Sequence, residues 1–266
     1  MEKISSQKWD QFDCDGYLPL GRVCSSRELR NLGDRINDIM LGKADVDYDK
    51  MMMQLDCSDG HGSAPGPQTF GFKGATLAYR KIQDLEYDEF FLRYIQTNLF
   101  QEICAKIYGT QTNIACFRAM FMNKPAREGT NLVWHQDRWT NLDRDPKITI
   151  WTALDDCNIE NGCVHVIPGS HRVLVNSESA SGFLNEMQTE EVLDKNIPVP
   201  LELKAGEVVL LHNWLLHSSD VNTTDKPRRA FSVCYMDANT KSYNGQIFPV
   251  VFGEGSLKVE NYEKVS

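Results

Sequence analysis

Leu29, Leu32, Ile36, Ile39 and Met40 recur at intervals of three and four residues, the spacing that gathers apolar side chains on one face of a helix. Just ahead of them, Ser25-Ser26-Arg27-Glu28 offers a capping box, and Gly42 supplies a stop. Between Asp88 and Gly109 the same period returns twice, first through Phe91, Tyr94 and Ile95, then through Ile103 and Ile107 after Asn98-Leu99-Phe100-Gln101. This predicts two short consecutive helices. From residue 44 to 74 the chain is rich in Asp, Gly, Pro and Ser, broken by Met51-Met52-Met53, and holds neither period, which predicts mostly loop and a mobile cover. Downstream the grammar changes to short alternating runs separated by turn residues, at 113–122, 147–154, 163–167, 201–204, 207–211 and 228–236. Helices followed by many short strands predict a mainly β fold with flanking helices, a cupin-like jelly roll whose N-terminal helices pack on one sheet. The expected organisation is one domain over 1–266, with a helical part to about residue 110 and a jelly-roll core over 111–250.

Composition narrows the classes of function. Of the 266 residues 41% are hydrophobic and 24% charged, and no apolar run is long enough to span a bilayer. A formal net charge of -9 repels phosphate polymers, so neither nucleic acid nor membrane is expected as a partner. The eight cysteines, at 14, 24, 57, 104, 116, 157, 163 and 234, contain no Cys-x-x-Cys pair and read as reduced thiols. With no basic-then-apolar start and no Ser-Lys-Leu ending, the expectation is a cytoplasmic monomer or simple homodimer acting on a small molecule.

The chemistry gathers at Trp134-His135-Gln136-Asp137. On extended backbone, residues two apart project from one face, so His135 and Asp137 can hold one ion together. A third ligand can come from His212, which ends an apolar strand, or from His217, which opens a polar stretch, and spacing leaves both open. Two imidazoles and one carboxylate leave coordination positions free, the arrangement of non-haem Fe(II) oxygenases. His61 reads as a solvated loop residue, His165 as a strand residue, and His171, closing Pro168-Gly169-Ser170-His171, as a turn residue with a structural hydrogen bond. Arg228 and Arg229 alternate on a strand, so one faces inward, where a dicarboxylate would satisfy it.

Several elements together resemble the phytanoyl-CoA dioxygenase family of Fe(II)/2-oxoglutarate oxygenases: Lys81-Ile82-Gln83-Asp84, Met120, Asn123-Lys124-Pro125, His135-Gln136-Asp137, Trp151-Thr152-Ala153, Asn161-Gly162-Cys163, Ile167 to His171, His217-Ser218-Ser219 and Arg228. The likeness covers most of the chain after about residue 75. It implies a double-stranded β-helix, with Fe(II) held by His135, Asp137 and His217, and with His212 outside the metal site. It also implies that Arg228 holds the distal carboxylate of 2-oxoglutarate, in a cosubstrate pocket lined by Lys81, Met120, Gln136, Trp151 and Ser219. The resemblance further implies O2 as co-reactant, ascorbate to keep the iron reduced, and hydroxylation at carbon coupled to conversion of 2-oxoglutarate to succinate and CO2. Asp137 favours hydroxylation, since related halogenases have a small residue there.

Arg138 and Trp139, directly after the metal triplet, are candidates to face the substrate; the competing reading is an exposed arginine beside a packed tryptophan. A phytanoyl-CoA-like acyl-CoA 2-hydroxylase is the alternative activity, and a non-catalytic jelly-roll binding protein the alternative from another class.

Overall fold

The computed structural model describes residues 4–56 and 65–259, so Cys57 and His61 lie outside the described residues. The chain opens with α1 (Ser6–Asp15), β1 (Tyr17–Arg22) and α2 (Ser26–Met40), followed by β2 (Met52–Leu55), β3 (Thr69–Phe70) and β4 (Tyr79–Ile82). Next come α3 (Glu89–Ile95), α4 (Asn98–Tyr108), β5 (Ile114–Lys124), β6 (Leu132–His135), β7 (Ile148–Ala153) and β8 (Val164–Val166). The last part holds α5 (Glu186–Lys195), β9 (Val199–Leu201), β10 (Glu207–His212), β11 (His217–Ser219), β12 (Arg228–Asp237) and β13 (Val250–Phe252). Antiparallel pairing gives a large sheet in the order β1-β10-β7-β12-β5-β4-β2-β3, with β13 added to β5, and a small sheet in the order β6-β11-β8-β9. This is the expected jelly roll with helices on one face.

Alternation along the central strands divides the large sheet into two environments. Ala119 and Phe121 of β5, Ile148 and Ile150 of β7, Val208 and Leu210 of β10, and Phe231, Val233 and Tyr235 of β12 join the core formed with the helices. The intervening Trp151, Ala153, Val209, Leu211 and Ala230 face the small sheet, packing with Cys163, Val166 and Leu201. Truncating a fully buried core residue such as Ile150 would cost about 2–5 kcal/mol.

The helix of Leu29 to Met40 forms as read, and its capping box is present, with Ser25 accepting from the Glu28 amide and Glu28 accepting from the Ser25 amide. The two consecutive helices also form, the second with Thr97 at its N-cap position and no side-chain capping bond. The segment 44–74 is mostly loop among its described residues, as expected, but the short strands β2 and β3 interrupt it. Met52 and Met53 enter the large sheet, where Met53 and Gln54 pair with Ile82 and Lys81, and Met51, Met52 and Met53 are all buried. Four residues are too few for a period to show, but burial of three successive methionines rewards pairing. The strand expected at 201–204 instead spans Val199–Leu201, paired with β8. The seven described cysteines are all free. Among the described residues no helix is long and apolar enough to cross a membrane.

Candidate active site

His135 ends β6 and His217 begins β11, and the two are directly opposed in the antiparallel register. Their ring centroids are 4.0 Å apart. Asp137 follows after the strand has ended, its amide held by the Asn213 carbonyl at 2.7 Å. Asn213 is itself fixed, its amide nitrogen donating to the Pro146 carbonyl at 2.9 Å and its side-chain oxygen accepting from Thr149 at 2.8 Å. One potential ligand atom from each of His135, Asp137 and His217 lies within 4.8 Å of the others.

Both imidazoles are oriented for ligation. The Nδ1 atoms of His135 and His217 each sit 2.9 Å from a backbone carbonyl, of Val133 and Leu215 respectively. A carbonyl can only accept, so these contacts place the proton on Nδ1 and leave the Nε2 lone pairs free for an ion. Burial, and then the neighbouring His217, push the His135 pKa down to about 3, which keeps the ring in its neutral, ligating form. Phe183 stacks on the His135 ring at 4.7 Å.

His212 is drawn elsewhere. Its Nδ1 accepts from the Trp214 amide at 3.1 Å, and its ring packs against His171 at 5.0 Å. The Ser170 hydroxyl, rather than His171 Nδ1, bonds across the 168–171 turn, donating to the Ile167 carbonyl and accepting from the Leu216 amide.

A cavity of about 380 Å³ lies between the sheets and contains the three potential ligands, with Lys81, Met120, Trp151, Ser219 and Arg228 also lining its walls. Arg228 and Arg229 face opposite ways. Arg229 forms two 2.8 Å bonds with Asp155. Arg228 is 4% exposed, donates one bond to the Gly162 carbonyl at 3.0 Å and lies over the Trp151 ring at 5.8 Å. Its Nε has no partner, and it forms no ion pair among the described residues. A buried cation with donors left over is costly unless an anion completes it. Burial depresses its pKa.

Gln136 does not line the cavity. It is wholly buried, donating to the Val173 and Trp214 carbonyls at 2.8 and 2.6 Å and accepting from the Val175 amide at 2.7 Å. It faces opposite to its two neighbours because side chains alternate along extended backbone. Gly182 lets the crossing loop close on it; a Cβ at this φ +69 position would overlap the Gln136 carbonyl oxygen. Arg138 reaches the cavity wall, but its guanidinium is engaged by the Ser177 carbonyl and stands 4.0 Å from Asp145. Trp139 lines the cavity and packs on Phe117 with ring centroids 4.4 Å apart.

Sequence reading missed Arg118 and Lys124, both in the cavity wall. Lys124 stands opposite Arg228 in the register and donates to the Thr130 carbonyl at 2.7 Å. Burial, then Arg228 and Arg80, push its pKa down to about 7. Burial, then Arg80 and Arg118, push Lys81 down to about 8. The alternation of Arg118, Met120, Met122 and Lys124 along β5 was an available signal.

Known proteins share this framework. Phytanoyl-CoA dioxygenase 1 of Oryza sativa subsp. japonica is 28% identical over 261 residues, covering 88% of this chain and 90% of that protein. The crystal structure of EctD from S. alaskensis with 2-oxoglutarate and 5-hydroxyectoine superposes with a TM-score of 0.70 at 20% identity, covering 96% of this chain and 82% of that one. The epimerase SnoN in complex with Fe3+, alpha ketoglutarate and nogalamycin RO superposes at 0.66 with 19% identity, covering 89% and 84%. The family model described as phytanoyl-CoA dioxygenase (PhyH) matches residues 12–230, and the chain therefore belongs to the phytanoyl-CoA dioxygenase family.

Proposed function

We propose that the protein is an Fe(II)- and 2-oxoglutarate-dependent dioxygenase that hydroxylates a small organic molecule at carbon. One juxtaposition carries the reading: two imidazoles and a carboxylate that can share an ion open onto the same cavity as a buried arginine with an unsatisfied donor. The donor set fits iron. Two neutral nitrogen ligands and one carboxylate leave positions for a chelating cosubstrate, whereas a closed structural site would use a fourth protein ligand.

His135, Asp137 and His217 would hold the metal, and Arg228, helped by Lys124, would hold the far carboxylate of 2-oxoglutarate by charge-assisted hydrogen bonds. When bound, iron with 2-oxoglutarate and O2 supplies an oxidant able to replace C–H by C–OH, with succinate and CO2 as co-products. The chain's own residues then have three tasks. The Val133 and Leu215 carbonyls keep both Nδ1 atoms protonated, Asn213 fixes Asp137, and the cavity walls orient the target carbon and exclude other reductants.

Family membership and fold leave the reaction type open, since solved relatives of this fold include a carbocyclase and an epimerase. Asp137 supports hydroxylation over halogenation, because the carboxylate occupies the place a halide would need. An acyl-CoA would have to leave its coenzyme outside a cavity of about 380 Å³. The test is succinate formation from 2-oxoglutarate, switched off by EDTA and restored by Fe(II) with ascorbate. Turnover that survives complete removal of metal would overturn the proposal.

A further inference from the structure

Arg118 lines the cavity in alternation with Met120, Met122 and Lys124, directly after an irregularity in β5. The β12–β5 register places Cys234 opposite Arg118 and Tyr235 opposite Cys116, so Phe117 is an extra residue on β5. Such a bulge re-aims side chains and is common beside active sites. Here it lets consecutive residues serve the same side: Phe117 packs on the Trp139 ring, and the Arg118 guanidinium lies 5.6 Å from that ring and 5.3 Å from Phe117. Arg118 is half-buried and lines the cavity, and its guanidinium forms no ion pair or hydrogen bond among the described residues.

Its position separates it from the proposed cosubstrate end. Arg228 precedes Cys234, the partner of Arg118, by six positions on β12. At the usual strand rise this puts the two arginine backbones roughly 20 Å apart. Asp137 lies toward the Arg118 end, since Asn213 accepts from its amide at 2.7 Å and donates to Sγ of Cys234, the partner of Arg118, at 3.2 Å. A five-carbon dicarboxylate that chelates iron and reaches Arg228 therefore leaves Arg118 unoccupied, on the far side of the metal. Two acids lie near Arg118. Burial pushes Glu86 up to about 8, so it is largely protonated at neutral pH, and Asp84 is engaged by the Met52 amide at 3.1 Å.

We infer that Arg118, braced by Trp139 and Phe117, anchors an anionic group of the primary substrate, a small carboxylate or phosphate ester whose apolar part extends toward the metal. This rests on the proposed Fe(II)/2-oxoglutarate reading, from which it takes the assignment of the Arg228 end to the cosubstrate. The rest of the wall has the matching sign, since Arg80, Lys81, Lys124, Arg138 and Arg228 join Arg118 there and Asp137 is the sole acid among the lining residues.

The test is calorimetric titration of the anaerobic Fe(II)-loaded protein, with and without saturating 2-oxoglutarate, using phenylacetate, phenyl phosphate and the uncharged phenylacetamide. At least one anion should bind tenfold or more tightly than the amide, and which one does so separates a carboxylate site from a phosphate site. Arg118→Gln should erase that preference, Arg118→Lys should keep part of it, and 2-oxoglutarate affinity should stay within about twofold in both. Equal binding of amide and anions by the wild type, or an undiminished preference in a folded Arg118→Gln variant, would overturn the anchor. Failure of the wild type to bind 2-oxoglutarate would instead overturn the cosubstrate reading, and the series without 2-oxoglutarate would still decide Arg118.

Discussion

Replacing Arg228 by alanine should raise the KM for 2-oxoglutarate by about two orders of magnitude while leaving kcat at saturation within a few-fold. The structure sets the scale. The guanidinium is 4% exposed, spends one donor on Gly162 and keeps Nε unpaired, so an incoming carboxylate can gain two charge-assisted bonds. Each such bond contributes about 1.5–3 kcal/mol. Loss of both would amount to roughly 10²- to 10⁴-fold at 1.4 kcal/mol per decade. Lys124, opposite in register, still presents a cation there and brings the expectation down to roughly 10².

Arg229→Ala is the control. It breaks the paired bonds to Asp155 and should lower the melting temperature without moving KM. Succinate formation against 2-oxoglutarate concentration reads both variants. A second signature separates ligand binding from a structural role. Without 2-oxoglutarate, Arg228→Met should melt no lower than the wild type, because it removes an unpaired buried charge while keeping similar volume. With 2-oxoglutarate at 100 times its Kd the order should reverse, since only the wild type gains about 2.7 kcal/mol from binding. A KM response in Arg229→Ala, with none in Arg228→Ala, would refute the facing of both residues.

Three further outcomes are expected. Asp137→Gly should retain the fold by circular dichroism but lose Fe(II) in equilibrium dialysis together with succinate formation; metal content equal to wild type would remove Asp137 from the ligand set. Gln136→Leu leaves the Val173 and Trp214 carbonyls and the Val175 amide without their buried partner, so denaturant unfolding should show a loss of about 3 kcal/mol or more. An effect below about 1 kcal/mol would mean that water replaces the amide. Burial raises Glu86 from its ordinary 4.5 to about 8, so between those values the folded state binds more protons than the unfolded one, and stability declines as pH climbs from about 5 through 8. In Glu86→Gln this decline should flatten in a melting series across that range; an unchanged slope would assign the pH dependence to other groups.

How much of this was legible depended on how local each cause is. The helix over Ser26–Met40 and its capping box depend on neighbours in sequence, and both could be read directly. The His135 and Asp137 pair was visible because alternation needs only two residues of extended chain. Other features depend on distant partners. β11 is three residues long, too short for any period, and exists through pairing with β6 and β8. The choice between His212 and His217 stayed open on the residues alone; the family resemblance implied His217, and the register sets His217 against His135. Gln136 matched a family position yet points into carbonyls 34 to 78 residues away, contacts that no local pattern announces. Arg118 could have been found from its alternation with Met120, Met122 and Lys124, whereas the bulge that sets Phe117 beside it is a mismatch between two strands and has no signature in either alone.

The charge of the whole chain pointed away from what its cavity presents. A formal net charge of -9 describes a surface on which acids predominate, and in salt their field fades within about a Debye length of 8 Å. Inside the cavity the balance inverts, with six basic side chains against the carboxylate of Asp137. Low-dielectric walls focus that field and water screens it little, so the interior decides which charge is bound. The depressed pKa values of Lys81 and Lys124 reflect burial first and the crowding of neighbouring cations second, and the second cost is relieved when anions enter. Two anions relieve it better than one, because the backbones of Arg228 and Arg118 stand roughly 20 Å apart along the wall. The arrangement thus favours a filled cavity with cosubstrate and substrate bound together, the condition under which an oxidant made at the metal meets its intended carbon.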